Sequence, residues 1–218
     1  DAVEIGIPLS DPIMDGRTIQ EASQRALDLG ATPIGVIDSL ATLDVPVPLV
    51  VMTYYNIVVR LGHERFAHAL RGSGVDAAII PDLPLDELDG WGDVADATGV
   101  ETVLLASPLT TDERLEAICE RSRGFVYGVS LLGVTGERES LAAHAEQMGR
   151  RLKAATDRPV LLGVGISNPS QAAKGAAVSD GVIVGSALVR RLLDSGGPEE
   201  ARAFVASLRA ALDDAETC

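Results

Sequence analysis

The sequence predicts an α/β fold arranged as a (βα)8 barrel of the TIM type, on three observations. Short β-rich runs, seven in all, alternate with segments of helical periodicity along the 218 residues. Several runs are apolar on consecutive residues rather than every second one, the pattern of parallel strands covered on both faces. No Gly-x-Gly-x-x-Gly opens the first helix and composition does not shift midway, which favours a closed barrel over an open doubly wound sheet. A single domain over residues 1–218 is the expectation.

In order, the run at 2–7 leads through a turn-rich stretch into a helical segment at 18–29. Runs at 48–52 and 77–80 flank a helical segment at 64–71. Helical segments at 86–97 and 112–121 precede runs at 102–106 and 125–130, and those at 141–154 and 170–176 precede runs at 160–166 and 181–185. Segments at 187–193 and 199–212 close the series. Right-handed crossovers connect parallel neighbours. A closed barrel of this type needs eight strands, and an incomplete one exposes two costly edges. The expectation is therefore an N-terminally incomplete copy of a longer protein.

Composition narrows the function. The formal charge of −14 excludes nucleic acid and anionic membrane as partners, because no basic stripe is available to neutralise phosphates. The longest apolar run, at 160–166, is far too short to span a bilayer and is broken by Gly. Cys119 and Cys218 have no framework spacing, which points to a reducing compartment and a cytoplasmic location. His63, His68 and His144 share no metal spacing, so no metal site is expected and solvent-facing or capping roles fit them better.

In such barrels chemistry sits at the C-terminal ends of the strands. Alternation along 2–7 sends Val3, Ile5 and Ile7 toward the covering helices and Glu4 toward the interior. A carboxylate there has its pKa pushed up, as acid–base sites require, or is paired with a buried Arg or Lys. Asp11 and Asp15 follow in a loop where each also fits a plain turn. Two carboxylates in unlike surroundings are the arrangement that separates acid and base roles. At the other end, the run at 160–166 ends in glycines that include Gly165, and Gly185-Ser186 ends the next just before a helical segment. Backbone amides at such a helix N-terminus bind dianions without a cationic side chain. Gly136, in Gly133-Val-Thr-Gly136, lies in a loop that adds donors or is an ordinary connection. Tyr54, Tyr55 and Tyr127 suit core packing or ligand stacking equally.

The run from Glu4 to Gln20, Glu-Ile-Gly-Ile-Pro-Leu-Ser-Asp-Pro-Ile-Met-Asp-Gly-Arg-Thr-Ile-Gln, closely resembles the signature of the tryptophan synthase α subunit. The likeness continues through Met52-Thr-Tyr-Tyr-Asn56, Pro81-Asp-Leu-Pro84, Phe125-Val-Tyr127, Gly133-Val-Thr-Gly136, Gly163-Val-Gly-Ile166 and Gly185-Ser186, covering essentially the whole chain. It implies a (βα)8 barrel that cleaves indole-3-glycerol phosphate to indole and glyceraldehyde 3-phosphate without a cofactor of its own. By the same resemblance Glu4 and Asp15 are the catalytic pair, Gly136, Gly165, Gly185 and Ser186 bind the substrate phosphate, and Tyr54, Tyr127 and Ile183 line the indole pocket. The implied partner is a β subunit that carries pyridoxal phosphate and receives indole in an αββα heterotetramer, with Asp11, Asn56 and Pro84 at the interface.

The chain departs from the family in three respects. Arg17 and Ile57 stand where the family commonly has Pro, which implies looser loops. The family's N-terminal helix and first strand have no counterpart here. Two other readings stay open at this level: an inactive fragment serving only as a β-subunit partner, and another barrel enzyme acting on a phosphorylated small molecule.

Overall fold

The computed structural model describes the backbone of residues 1–129, 138–194 and 197–216. These fall into two compact units. The first holds Asp1–Ile13, Ser23–Leu104 and Arg121–Gly124; the second holds Met14–Ala22, Leu105–Glu120 and the described residues from Phe125 onward.

In the first unit β1 (Val3–Gly6), β2 (Leu49–Met52), β3 (Ala77–Ile79) and β4 (Glu101–Ala106, its last two residues in the second unit) follow one another as parallel neighbours. Register places Glu4, Val50, Ala77 and Glu101 at one level, so their side chains share a face. Helix α1 (Arg17–Asp28) begins in the second unit and ends in the first. Helices α2 (Pro33–Leu40), α3 (Tyr55–Leu61), α4 (His63–Gly72) and α5 (Asp89–Thr98) belong to the first. Phe66 of α4 and Trp91 of α5 are fully buried with ring centroids 5.6 Å apart, an aromatic anchor in a chain otherwise built on small aliphatics.

Two of these helices were not expected from periodicity. In α2, Pro33 occupies the first turn and the Thr32 hydroxyl accepts from the Gly35 amide at 3.1 Å, a capping signal that local composition masks. In α3, the β-branched run Ile57-Val58-Val59 reads as strand, yet burial of Ile57 and Val58 holds it helical. Ile57 is thus a core contact, and the looser loop expected there is a helix.

In the second unit α6 (Asp112–Arg121, its last residue in the first unit) precedes β5 (Val126–Val129), α7 (Arg138–Ala155), β6 (Val160–Gly163), α8 (Pro169–Ala176), β7 (Gly181–Val182), α9 (Ser186–Leu193) and α10 (Gly197–Glu216). β5, β6 and β7 pair in parallel. Val126, Gly128, Val160 and Leu162 form a buried face. Tyr127, Val129, Leu161 and Gly163 form the half-buried one. Ile166, Ala172, Phe204 and Leu208 make a core between α8 and α10, with Val182 and Val184 packed against it. Among the described residues no helix is long and apolar enough to cross a membrane.

One device recurs at the N-terminal ends of the strands. Asp76, just before β3, donates its amide to the Leu49 carbonyl at 2.9 Å and accepts the Leu49 amide on Oδ2 at 3.0 Å. Asp180, just before β7, does the same to Val160 at 2.9 and 2.8 Å. Arg71 lies 3.7 Å from Asp76, and Lys153 lies 2.8 Å from Asp180. Burial opposes ionisation of Asp180, but the hydrogen bonds from Lys153 and Val160 and the Lys153 charge outweigh it and hold the carboxyl below its ordinary range. A carboxyl lowered on folding contributes stability above its unfolded pKa of about 3.9 and loses it as pH falls through the folded value. Asp180→Ala is expected to cost about 1–2 kcal/mol at neutral pH in urea unfolding, since Val160 loses its acceptor. The gap to the parent should narrow below about pH 4; a gap unchanged down to pH 3 would refute an ionic clamp.

Candidate active site

The second unit gathers most of the site residues. Asp15 is half-buried, and its carbonyl accepts from the Gln20 side chain at 2.9 Å. The Gly16 carbonyl receives the Ile19 and Gln20 amides, both at 3.0 Å, and so starts α1 directly after Asp15. Tyr127, Leu161 and Gly181 are register partners on the half-buried face. Ile183 donates its amide to Leu162 and by alternation joins them, since Val182 packs outward on Gly175 and the α8–α10 core. Tyr127 and Ile183 therefore share a face, as the indole-pocket expectation requires.

Gly163 on that face is a glycine for steric reasons, because a Cβ there would overlap the Tyr127 ring and hydroxyl. Gly165 has φ +75, a conformation that side chains rarely adopt, and is exposed. Gly185 and Ser186 are exposed at the N-terminus of α9, whose first amides have no intrahelical acceptor. The expected position Gly136 lies outside the described residues.

The first unit places the remainder. Glu4 is exposed rather than interior, and Val3 is 46% exposed where a covered residue was expected. The reason is that β1 pairs only with β2 among the described residues, so its other flank stays open. Only Ile7 of the outward set is buried. Asp11 is exposed and accepts the Ser10 hydroxyl at 2.7 Å. Tyr54 is half-buried at the N-cap of α3, and Asn56 is exposed one residue into that helix. Pro84 is exposed just before a single 3-10 turn at Leu85–Glu87.

Asp82 went unnoticed in the sequence. Its carboxylate accepts the Tyr55 amide at 2.8 Å and joins the 81–84 loop to the start of α3, bringing Asn56 and the Pro84 loop into one surface. His63 also differs from expectation. It is half-buried, 3.0 Å from the Tyr55 hydroxyl and edge-on to Trp91, so Tyr55 and His63 are packing residues. Cys119 is a buried free thiol raised by burial, an inert core group although the Arg158 charge pulls the other way. Among the described residues no cluster of His, Cys, Asp and Glu suits a metal.

The family model described as tryptophan synthase alpha chain matches residues 1–216. A tryptophan synthase alpha chain of Gloeobacter violaceus is 45% identical over 203 residues, covering 92% of this chain and 73% of that one. That of Streptomyces coelicolor is 44% identical over 214 residues, covering 95% and 79%. Among solved structures, a chain of tryptophan synthase from M. tuberculosis superposes with TM-score 0.88 at 38% identity, covering 97% of this chain and 80% of that one. A chain of the tryptophan synthase complex of Pyrococcus furiosus superposes with TM-score 0.85 at 35% identity, covering 96% and 86%.

The contact of Tyr127 with Gly163 should show itself in stability. Gly163→Ala forces the ring aside, at an expected cost of about 1–3 kcal/mol in urea unfolding. Adding Tyr127→Leu should recover part of the loss; strictly additive costs would mean that the two positions do not meet.

Proposed function

The chain belongs to the tryptophan synthase alpha chain family, and we propose that its lyase reaction is carried by Glu4 and Asp15. The fold is that family's α/β barrel, and the reaction is cleavage of indole-3-glycerol phosphate to indole and glyceraldehyde 3-phosphate in tryptophan biosynthesis. The observation that carries the site assignment is the common placement of Asp15, Tyr127, Ile183 and the amide-bearing start of α9 in one compact unit.

Cleavage of the bond between indole C3 and the glycerol chain needs a proton delivered to C3 and another removed from the adjacent hydroxyl. The electron pair of the broken bond returns to the ring as that hydroxyl becomes the aldehyde. Glu4 serves as the acid and then as the base. Asp15 accepts the indole N–H and stabilises the cation formed when C3 is protonated. By the resemblance Tyr54, Tyr127 and Ile183 are the residues assigned to the ring, and the amides at Gly165, Gly185 and Ser186, together with Gly136, those assigned to the phosphate. The reaction so described draws on no cofactor in this chain.

The partner in this reading is a β subunit carrying pyridoxal phosphate, which takes indole onward within an αββα assembly. Asp11, Asn56 and Pro84 are all exposed in the first unit and form its docking surface. A cytoplasmic setting fits the free Cys119.

Replacing an acid–base group typically costs about 10²–10⁴ in rate. Glu4→Gln should lower indole release from indole-3-glycerol phosphate by at least that range with unfolding unchanged. Asp15→Asn should lower it also, mainly through kcat. Retention of full indole release by Glu4→Gln would remove Glu4 from the mechanism. Added β subunit should raise the rate of the parent chain.

A further inference from the structure

Two adjacent arginines of α9 point in different directions. Arg191 lies over the Phe204 ring, 3.7 Å from its centroid, and so packs α9 onto α10. Arg190 reaches α1 instead: Nη2 donates to the Thr18 hydroxyl at 3.0 Å, and Nη1 lies 2.9 Å from Glu21 Oε2. Thr18 and Glu21 are three residues apart, hence neighbours on one face of α1, and the planar guanidinium grips both. Asp194, just past the end of α9, lies 3.9 Å away and steadies the same group.

Arg190 stands four residues after Ser186, about one helical turn from the amides assigned to phosphate. Thr18 stands three residues after Asp15. The first turn of α1 carries no acidic residue to complement the helix dipole and begins with Arg17 rather than Pro. The Gln20 side chain on the Asp15 carbonyl also tethers it.

We propose that Arg190 is a positioning residue, which couples an anion bound at the start of α9 to the placement of Asp15 through Thr18 and Glu21. The proposal rests on the assignment of Gly185 and Ser186 to phosphate. An anion seated on those amides restrains α9, the guanidinium passes the restraint to α1, and the Asp15 carboxylate is thereby held for the indole N–H. Arg190 touches neither reacting atom.

The test is amide hydrogen exchange on the full chain with and without saturating glycerol 3-phosphate. In the parent, ligand should slow exchange at residues 186–189 and also at 16–22, the latter by about tenfold, within the usual range of coupling between sites. In Arg190→Met the slowing should persist at 186–189 and vanish at 16–22, and Arg190→Lys should restore part of it. Thr18→Val combined with Glu21→Gln should reproduce the loss with Arg190 intact. Equal slowing at 16–22 in the parent and in Arg190→Met, or no ligand effect at 16–22 in the parent, overturns the proposal. Indole release separates this from the reaction itself: an active parent with uncoupled exchange defeats only the coupling, whereas coupled exchange without indole release defeats only the reaction. With an active parent, Arg190→Met should lower kcat more than it raises KM, and should add nothing to Asp15→Asn.

Discussion

The aspartate clamp at the N-terminal ends of the strands is the constraint on which the site depends. Parallel strands have no hairpin to set their register, so alignment must be imposed from their ends. Asp76 and Asp180 impose it by binding both the amide and the carbonyl of the residue that begins the preceding strand. A slip of one residue would break both bonds and turn every side chain to the opposite face. With the starts pinned in this way, Leu161 and Gly181 in the second unit, and Val50 and Ala77 in the first, can only meet at the levels observed. The opposite ends of the strands are then available to carry chemistry on their loops.

The parts of this structure that could be read in the sequence are those with a local or periodic cause. The seven described strands and most of the helices announce themselves through runs and turns, each within a few residues of its observed limits. Helices α2 and α3 do not: the cap at Thr32 is masked by local composition, and the β-branched residues of α3 argue for strand where burial of Ile57 and Val58 decides otherwise. Asp76 and Asp180 look like turn residues in Gly-Val-Asp-Ala and Ser-Asp-Gly-Val, since their function lies in the strand before, 27 and 20 residues away. Asp82 and Arg190 escape for the same reason. Glu4 was expected on a strand with its side chain turned inward; the strand is there and Glu4 is exposed, because alternation identifies a face and says nothing about what covers it.

The candidate site is divided by chemistry. The groups proposed for acid–base work lie on the strand and loop at the beginning of the chain, and the amides proposed to bind the anion lie near its end. An acidic chain favours this division. With a formal charge of −14, cations are drawn into local pairs, as with Lys153 and Asp180, Arg151 and Asp112, Arg121 and Asp96. A phosphate held by neutral backbone donors does not compete with carboxylates for those cations, and the helix dipole gives the amides their polarity without adding charge.

The same economy explains why small residues line the half-buried face of the second unit. Gly163 and Gly181 give up side chains so that Tyr127 and Leu161 can lie across them. On the other face, Gly128 lets Leu162 and Leu152 approach closely, binding β5 and β6 to α7. A chain with 3% aromatics therefore spends one of its three tyrosines at a position where the strand beneath has been thinned to receive it. Packing of that kind leaves the ring few orientations, which is what a pocket for a flat heteroaromatic substrate needs: a wall held in place before the ligand arrives loses little conformational entropy when it does.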